Sequence, residues 1–191
     1  MKMRAFFIPI IGFMSCLSLI SCSFGHKNHS REDILGVWVC GIQNDDYMGF
    51  EEMEFFSDGR FVVTDSGRFS GMDGGFIFSM DLVSSIDGSW SIVNDSLFIS
   101  YNVDDLKILP CLSSFKVKAE NEGADTLLLE SFKEDMARDL SCNIIEMYTG
   151  QYRSLSGREV LLGKIVSLSD DQFKIENSGA QIEFHRNISK R

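Results

Sequence analysis

Hydrophobic and polar residues alternate with a period of two along most of the chain after residue 34. Trp38, Cys40 and Ile42, for example, share one face of the first alternating segment. This alternation predicts half-buried β-strands, because successive side chains of a strand point to opposite faces of its sheet. Short strands separated by evenly spaced turn signals favour an antiparallel barrel or sandwich over a parallel α/β sheet.

Turn-forming dipeptides divide this pattern into about ten predicted strands. Three consecutive leucines, residues 127–129, are predicted to belong to one of them. Only Pro9 and Pro110 interrupt the backbone donors of the chain, so the strands are free to form hydrogen-bonded ladders. The dipeptides predicted to end one strand and begin the next are Asp58-Gly59, Asp87-Gly88, Asn94-Asp95, Asp170-Asp171 and Ser178-Gly179.

One segment departs from the strand pattern and predicts an amphipathic helix over residues 132–148. Ser131 and Glu134 have the spacing of a capping box, in which each side chain satisfies a free amide at a helix start. Gly150 is predicted to end the helix. The apolar residues that recur at helical spacing, and are expected to pack on the sheet, are Met136, Leu140, Ile144 and Met147.

The first 22 residues resemble a bacterial lipoprotein signal peptide. Lys2 and Arg4 precede a short apolar run over residues 5–14, and Leu19-Ile20-Ser21-Cys22 matches the lipobox that marks lipidation and cleavage. The resemblance implies that the mature chain begins at Cys22 and carries acyl chains such as palmitate on its sulfur and amino terminus. The alternative is an ordinary secretory signal that ends near a cysteine.

These features predict three regions: a signal peptide (1–21), a lipidated tether (22–33) and one β-barrel domain (34–187). The chain has a formal net charge of −10, and the two basic residues of the signal leave with it, so the mature domain is more acidic still. An acidic domain repels phosphate backbones, which argues against a nucleic-acid partner. Membrane attachment is therefore expected from the acyl chains on Cys22.

Several motifs of the domain resemble lipocalins, and in particular small lipocalin-like lipoproteins of Bacteroidota type. Gly36-Val37-Trp38 opens the first strand in the way of the lipocalin G-x-W motif, whose tryptophan closes one end of the barrel. The second lipocalin motif, of the T-D-Y kind, is absent. The further matching segments are the hairpin 55–61, the hairpin 88–97 and the last strand, 182–186, which ends on Arg186. The resemblance implies a barrel that binds a small apolar ligand.

No motif in the sequence predicts catalysis, a metal or a cofactor. Ser113 and Lys116 form an S-x-x-K pattern, but residues 115–119 alternate like a strand, which would separate the two side chains. The acidic dipeptides Asp45-Asp46 and Asp104-Asp105 lack the alternate-ligand spacing of a calcium loop and are predicted to be solvated turns. We therefore expect a non-enzymatic protein.

Three cysteines belong to the predicted domain. Cys40 shares a face with Trp38, so its thiol is expected to be a buried and inert part of the core. Cys111 and Cys142 leave two possibilities open, a disulfide between them or three free thiols in the domain.

The sequence leaves three functions open. The first is a tethered binding module, with phenylalanines lining an apolar cavity for a small ligand; the same residues in a closed barrel would be its packed core. The second is an envelope interaction or inhibitor lipoprotein, in which acidic loops such as Asp45-Asp46 and Glu51-Glu52 meet a protein partner. The third is an enzyme whose site is not local in sequence. Ser23 stands where inner-membrane retention signals carry Asp, which favours the outer membrane. The tether also lacks the acidic run that follows the cysteine in many surface-exposed lipoproteins, which favours the periplasmic face.

Overall fold

The computed structural model describes residues 29–73, 75–119 and 126–187. The predicted signal peptide and Cys22, the predicted site of lipid attachment, lie outside the described residues.

The predicted antiparallel barrel with one long helix is confirmed. Eight strands close into a barrel, β1-β2-β3-β4-β5-β7-β8-β9, in which β3 also pairs with β4, and β6 lies beside β4 outside the ring. The strands of the described residues are β1 (Gly36–Gln43), β2 (Tyr47–Phe55), β3 (Arg60–Asp73), β4 (Phe76–Val93), β5 (Ser96–Tyr101), β6 (Lys107–Ala119), β7 (Val160–Leu168), β8 (Gln172–Asn177) and β9 (Ala180–Arg186).

Strand β4 is long enough to pair with two strands along the same edge. Residues 88–93 pair with β5, and residues 76–85 pair with β6. The helix α1 (Thr126–Leu155) follows β6 and packs against β6 and β5. Short 3-10 helices, Arg31–Ile34 and Val103–Asp105, precede β1 and follow β5. The segment that contains β6 and α1 is therefore an insertion between β5 and β7 of an otherwise up-and-down barrel.

Three predicted turns are confirmed by their backbone angles. Gly59 has a φ of 91°, Asn94 and Asp95 have φ values of 51° and 59°, and Ser178 and Gly179 have φ values of 52° and 84°. Asn94-Asp95 and Ser178-Gly179 have positive φ at both central residues, the geometry that joins two twisted antiparallel strands through a two-residue turn, whereas at Asp58-Gly59 only the glycine has it.

The predicted break at Asp87-Gly88 is wrong, because β4 runs through both residues. A Cβ on Gly88 would lie 2.1 Å from the Ser100 carbonyl oxygen and 2.7 Å from the Phe61 ring. The glycine is there because the neighbouring strand and ring approach the backbone closely, and no turn is involved.

The predicted bounds of the helix, 132–148, are also wrong, since α1 begins before Ser131 and continues through Gly150. Residues 127–129 lie in α1 and not in a strand. A short apolar run fits a helix or a strand equally well by periodicity alone, and leucine favours a helix. Gly150 is exposed and costs about 1 kcal/mol in a helix, which the burial of Tyr152 two residues later offsets.

The predicted apolar stripe of the helix is largely confirmed. Leu140 and Ile144 are buried, and Met136 and Met147 are half-buried against the core. The stripe extends further than predicted, because Ala137, Tyr148 and Tyr152 are buried on the same face.

One end of the barrel is filled by aromatic rings. The Trp38 ring meets Phe173 edge-on with centroids 4.8 Å apart, and Phe173 stacks on Phe184 at 4.5 Å. The Trp38 indole donates a hydrogen bond to the Ile34 carbonyl oxygen at 2.7 Å. The Arg186 guanidinium lies 4.1 Å above the Trp38 ring. At this end the phenylalanines form a packed core.

The three cysteines of the described residues are unpaired. Cys40 is buried, as predicted, whereas Cys111 and Cys142 are exposed and form no disulfide. Of the two possibilities that the sequence leaves open, the structure has the free thiols.

Candidate functional site

A row of four polar side chains crosses the inner face of the barrel. Cys40 on β1 lies directly opposite Glu51 on β2, Glu51 opposite Asp65 on β3, and Asp65 opposite Ser84 on β4. All four lie on the inward face, because they share its parity with buried residues two positions along each strand, such as Trp38 and Val63. The row therefore places two carboxyl groups side by side inside the barrel.

The two carboxyl groups have few hydrogen-bond donors. Ser84 Oγ donates to Asp65 Oδ2 at 3.2 Å, and the Cys40 thiol lies 3.9 Å from Glu51 Oε1. Asp65 Oδ1 is buried and has no hydrogen-bond partner among the described residues. No basic side chain of the described residues forms an ion pair with Glu51 or Asp65.

This environment favours the protonated forms of the pair. Burial raises the pKa of Asp65 to about 6, although the Ser84 hydrogen bond opposes the shift. Burial, followed by the charge of Asp65, raises the pKa of Glu51 well above its ordinary value. The pair therefore holds a proton under conditions in which exposed carboxyl groups are ionised.

Burial also raises the pKa of the Cys40 thiol, and the neighbouring Glu51 charge adds to the effect. A thiol held protonated in this way is a poor nucleophile. The predicted inert character of Cys40 agrees with this environment.

All four tyrosines of the chain surround the carboxyl pair: Tyr47 on β2, Tyr101 on β5, and Tyr148 and Tyr152 on α1. Each is buried. Burial is the largest cause of the raised pKa of every one of these hydroxyl groups, and the charge of Asp65 contributes to all four. The tyrosine hydroxyls therefore remain neutral hydrogen-bonding groups.

Tyr47 lies over a pair of glycines beside the carboxyl groups. Gly49 and Gly67 are directly opposite each other on β2 and β3, in the inward row next to Glu51 and Asp65. A Cβ on Gly67 would lie 2.7 Å from Tyr47 Cζ, and a Cβ on Gly49 would lie 2.9 Å from the Tyr47 hydroxyl oxygen. Because both side chains are absent, the ring rests against the backbone of the two strands.

The Tyr47 side chain is only 4% exposed, and its hydroxyl has no hydrogen-bond partner among the described residues. The polar end of the ring is thus buried without compensation. A group that supplied a hydrogen bond there would relieve a desolvation cost of about 1–3 kcal/mol.

A surface cleft of about 480 Å³ lies beside β4 and β5 and meets this cluster only at Tyr101. Tyr101 forms part of its wall, and the Tyr101 ring contacts Tyr152 edge-on with centroids 5.2 Å apart. The other residues that give the cleft its polar character are Arg60, Asp87, Ser89, Asn102 and Ser156. Asp87 Oδ1 is a further buried oxygen that has no hydrogen-bond partner among the described residues.

Glu51 is predicted from the sequence to lie in an exposed acidic loop, and this prediction is wrong. Glu51 lies within β2 and faces the barrel interior. The alternation that places Met53 and Phe55 on the buried face, continued by one step, reaches Glu51, and the same parity from Phe61 and Val63 reaches Asp65. The alternation therefore indicates inward positions for Glu51 and Asp65, but charged residues are rarely buried, which favours an exposed loop.

The other sequence-predicted features lie apart from this cluster. Ser113 and Lys116 are exposed on β6, as the strand interpretation of that segment requires. Asp45-Asp46 lies in the connection between β1 and β2, and Asp104-Asp105 lies in the short helix after β5. Within the described residues, no group of three or more His, Cys, Asp or Glu side chains is arranged to hold a metal ion.

We compared the chain with protein-family models, curated proteins and solved structures, and none of them matches it. No helix of the described residues is both long enough and apolar enough to cross a membrane.

Proposed function

We propose that the protein is a membrane-anchored lipoprotein of the bacterial cell envelope, and that its barrel binds a small ligand without catalysing a reaction. The lipobox that ends at Cys22 supports the anchor. The observation that carries the binding function is the inward-facing cluster of Glu51, Asp65 and four tyrosines, in which the buried Asp65 Oδ1 and Tyr47 hydroxyl have no hydrogen-bond partner among the described residues.

The two parts of the barrel interior differ in their packing and in the polar groups they offer a ligand. At the end around Trp38 the rings of Phe173 and Phe184 already contact one another, so a wholly apolar ligand would have to displace well-packed side chains. Beneath α1 the tyrosines present apolar faces together with polar groups. The ligand we propose therefore has an apolar body and at least one hydrogen-bonding group, and it binds in this second part.

The geometry around β1 supports the lipocalin-like relationship in this proposal. Gly36, Trp38 and Arg186 meet at the aromatic end of the barrel, where Arg186 Nη1 donates to the Leu35 carbonyl oxygen at 2.8 Å. These residues belong to the motifs on which the resemblance rests.

Lipidation is tested by metabolic labelling with palmitate in a bacterial host. The wild-type protein should be labelled, and Cys22→Ser should be neither labelled nor processed. Labelled Cys22→Ser protein would contradict the lipoprotein assignment. Protease treatment of intact cells tests the proposed periplasmic face, because removal of the domain would place it on the cell surface.

Ligand binding is tested by native mass spectrometry of the protein purified from its natural host. We expect an added mass that is lost on denaturation. Tyr47→Trp, which enlarges the ring over the glycine pair, should reduce that added mass, whereas Phe50→Trp, an outward-facing change on the same strand, should not. A protein without added mass in every preparation would contradict the binding function.

A second candidate function is supported by an exposed apolar row on the outer face of the sheet. Phe50, Val83 and Leu109 lie in line across β2, β4 and β6, with Ser66 of β3 between them. Phe50 and Leu109 are 61% and 63% exposed. Such a row suits a protein partner. A partner crosslinked to the wild-type protein in cells, but not to a Phe50→Ser, Leu109→Ser variant, would support this function.

A further inference from the structure

We propose that the ligand is a small organic amine, and that its ammonium group binds between the Glu51 and Asp65 carboxylates while the tyrosine rings enclose its apolar body. This inference rests on the binding function proposed above and specifies the chemical class of the ligand.

The charge of the site selects a cation. Two carboxyl groups lie next to each other in the barrel, and neither has a basic partner among the described residues. The groups that face them are neutral: the Cys40 thiol of β1, the Tyr47 hydroxyl of β2, the Ser84 hydroxyl of β4, and the hydroxyls of Tyr101 on β5 and of Tyr148 and Tyr152 on α1. A buried acidic pair of this kind is stabilised most by a bound positive charge.

The hydrogen-bonding pattern selects a cation that donates. Asp65 Oδ1 and the Tyr47 hydroxyl oxygen both lack a donor, and both are buried. An ammonium group carries N–H donors that these oxygens accept, and charge-assisted hydrogen bonds are the stronger kind. A quaternary ammonium ion, which has no N–H group, would leave both oxygens without a donor.

The aromatic surroundings distinguish an organic amine from a metal ion. Tyr101 and Tyr152 pack edge-on near the pair, and aromatic rings attract ammonium groups and bury hydrocarbon. Within the described residues, the carboxyl pair has no third His, Cys, Asp or Glu side chain arranged to complete a metal site. Phenol rings and two carboxylates together therefore fit an amine with an aromatic or aliphatic body.

The glycine pair supplies the room for that body. If the Tyr47 ring turns away from Gly49 and Gly67, it leaves a ring-sized space bounded by backbone, directly beside Glu51 and Asp65. The Tyr47 hydroxyl loses no hydrogen bond when the ring turns, because it makes none with the described residues, and in the turned position its oxygen accepts from the bound ammonium group.

Calorimetric titration of the purified full-length protein in detergent tests the inference. The probes are phenethylamine and its neutral counterpart 2-phenylethanol, which share the same ring and chain. We expect phenethylamine to bind at least ~10-fold more tightly, the factor that one charge-assisted hydrogen bond supplies. Comparison of two buffers with different ionisation enthalpies should show a net release of protons, because the ammonium ion stabilises the ionised pair.

Isosteric variants locate the binding site. Asp65→Asn and Glu51→Gln keep the shape of the pair and should each weaken phenethylamine binding at least ~10-fold. Glu134→Gln is the matched control, since this carboxylate is 86% exposed on α1 and should have no effect. Thermal melting of every variant establishes that it is folded. Asn and Gln keep the size of the side chain and remove its charge. If one of the two variants unfolds, the other still tests the site.

The remaining outcomes separate this inference from the binding function itself. Equal binding of the alcohol and the amine would refute the amine assignment and leave small-ligand binding intact. Tighter binding of calcium chloride than of phenethylamine would refute it in favour of a metal site. Binding of phenethylamine that is unchanged in Asp65→Asn and Glu51→Gln would place the amine elsewhere and overturn the proposal. Binding of neither probe would overturn the amine assignment, and if native mass spectrometry also finds no added mass, the binding function fails as well.

Discussion

The aromatic end of the barrel and the carboxyl pair differ in how well their buried polar groups are hydrogen-bonded. At the aromatic end, Trp38 and Phe173 are fully buried and the Trp38 indole N–H has a carbonyl partner. Around Glu51 and Asp65, one carboxylate oxygen and a tyrosine hydroxyl are buried without a hydrogen-bond partner in the described part of the chain. The first part buries apolar rings with its polar atoms hydrogen-bonded, which stabilises the fold, and the second buries polar atoms without partners, which destabilises it.

This difference separates the part of the protein that maintains the fold from the part that is available for function. A natural fold tolerates buried, incompletely satisfied polar groups at functional sites, where their cost is offset by packing elsewhere. Here the packing lies in the same barrel, along the same strands. Breaking the aromatic end should therefore destabilise the protein, whereas neutralising the carboxyl pair should stabilise it.

The largest effect is expected at the aromatic end. Phe173→Ala removes a fully buried ring that contacts Trp38, Phe55 and Phe184. The lost burial and the cavity together should lower the free energy of unfolding by about 3–5 kcal/mol. Urea denaturation followed by tryptophan fluorescence measures this change. Phe132→Ala, at a position that is 57% exposed, should change it by less than about 0.5 kcal/mol.

The carboxyl pair should give the next largest effect, with the opposite sign. The pKa of Asp65 is raised from 3.8 to about 6 in the folded protein, and that of Glu51 is raised as well. Between the unfolded and folded pKa values the folded state binds more protons, so the free energy of unfolding falls as the pH rises from about 4 through 6. Asp65→Asn should remove this penalty and stabilise the protein at pH 7.5 by on the order of 2 kcal/mol.

Urea denaturation at pH 5 and pH 7.5 checks this expectation. The stabilisation by Asp65→Asn should be larger at pH 7.5 than at pH 5, because the wild-type carboxyl group is mostly protonated at the lower pH. Asp81→Asn serves as the control. Asp81 is paired with Arg68, which lowers its pKa, so its removal should not stabilise the protein at either pH. Equal gains at both pH values would mean that Asp65 is not held with a raised pKa.

A smaller effect is expected where the aromatic end meets the chain termini of the barrel. The Arg186 guanidinium lies above Trp38 and donates to the Leu35 and Asp33 carbonyl oxygens. Arg186→Lys keeps the charge but loses the planar fork, so it should destabilise the protein by about 1 kcal/mol. Thermal unfolding measures the loss, and Arg153→Lys, an exposed position on α1, should leave the melting temperature unchanged. An unchanged melting temperature in Arg186→Lys would mean that a positive charge is enough to stabilise this end of the barrel and that the guanidinium geometry is not needed.

The sequence predicted the aromatic end better than the carboxyl pair, and the reason is physical. Period-two alternation predicts the inward positions of Trp38 and Phe184, because large apolar residues are normally buried in a barrel. Glu51 is a charged residue at an inward position, so its sequence context predicts an exposed loop although the alternation places it inside. The convergence of Tyr101 with Tyr152 depends on how α1 lies against β5, and that is set by long-range packing which no local spacing encodes.

The smallest expected effect bears directly on the unsatisfied part of the barrel. Tyr47→Phe removes a buried hydroxyl that has no hydrogen-bond partner among the described residues, and it leaves the ring over Gly49 and Gly67 in place. Removing an unpaired polar group should raise the free energy of unfolding by about 1 kcal/mol. Tyr152→Phe is the control, since its hydroxyl is not among the buried atoms without a partner. Urea denaturation at pH 5, where the wild-type carboxyl group of Asp65 is mostly protonated, measures both variants. A loss of stability in Tyr47→Phe would show that the protein itself supplies a hydrogen bond to this hydroxyl. Of the two unpartnered oxygens on which the ligand proposal rests, only Asp65 Oδ1 would then remain.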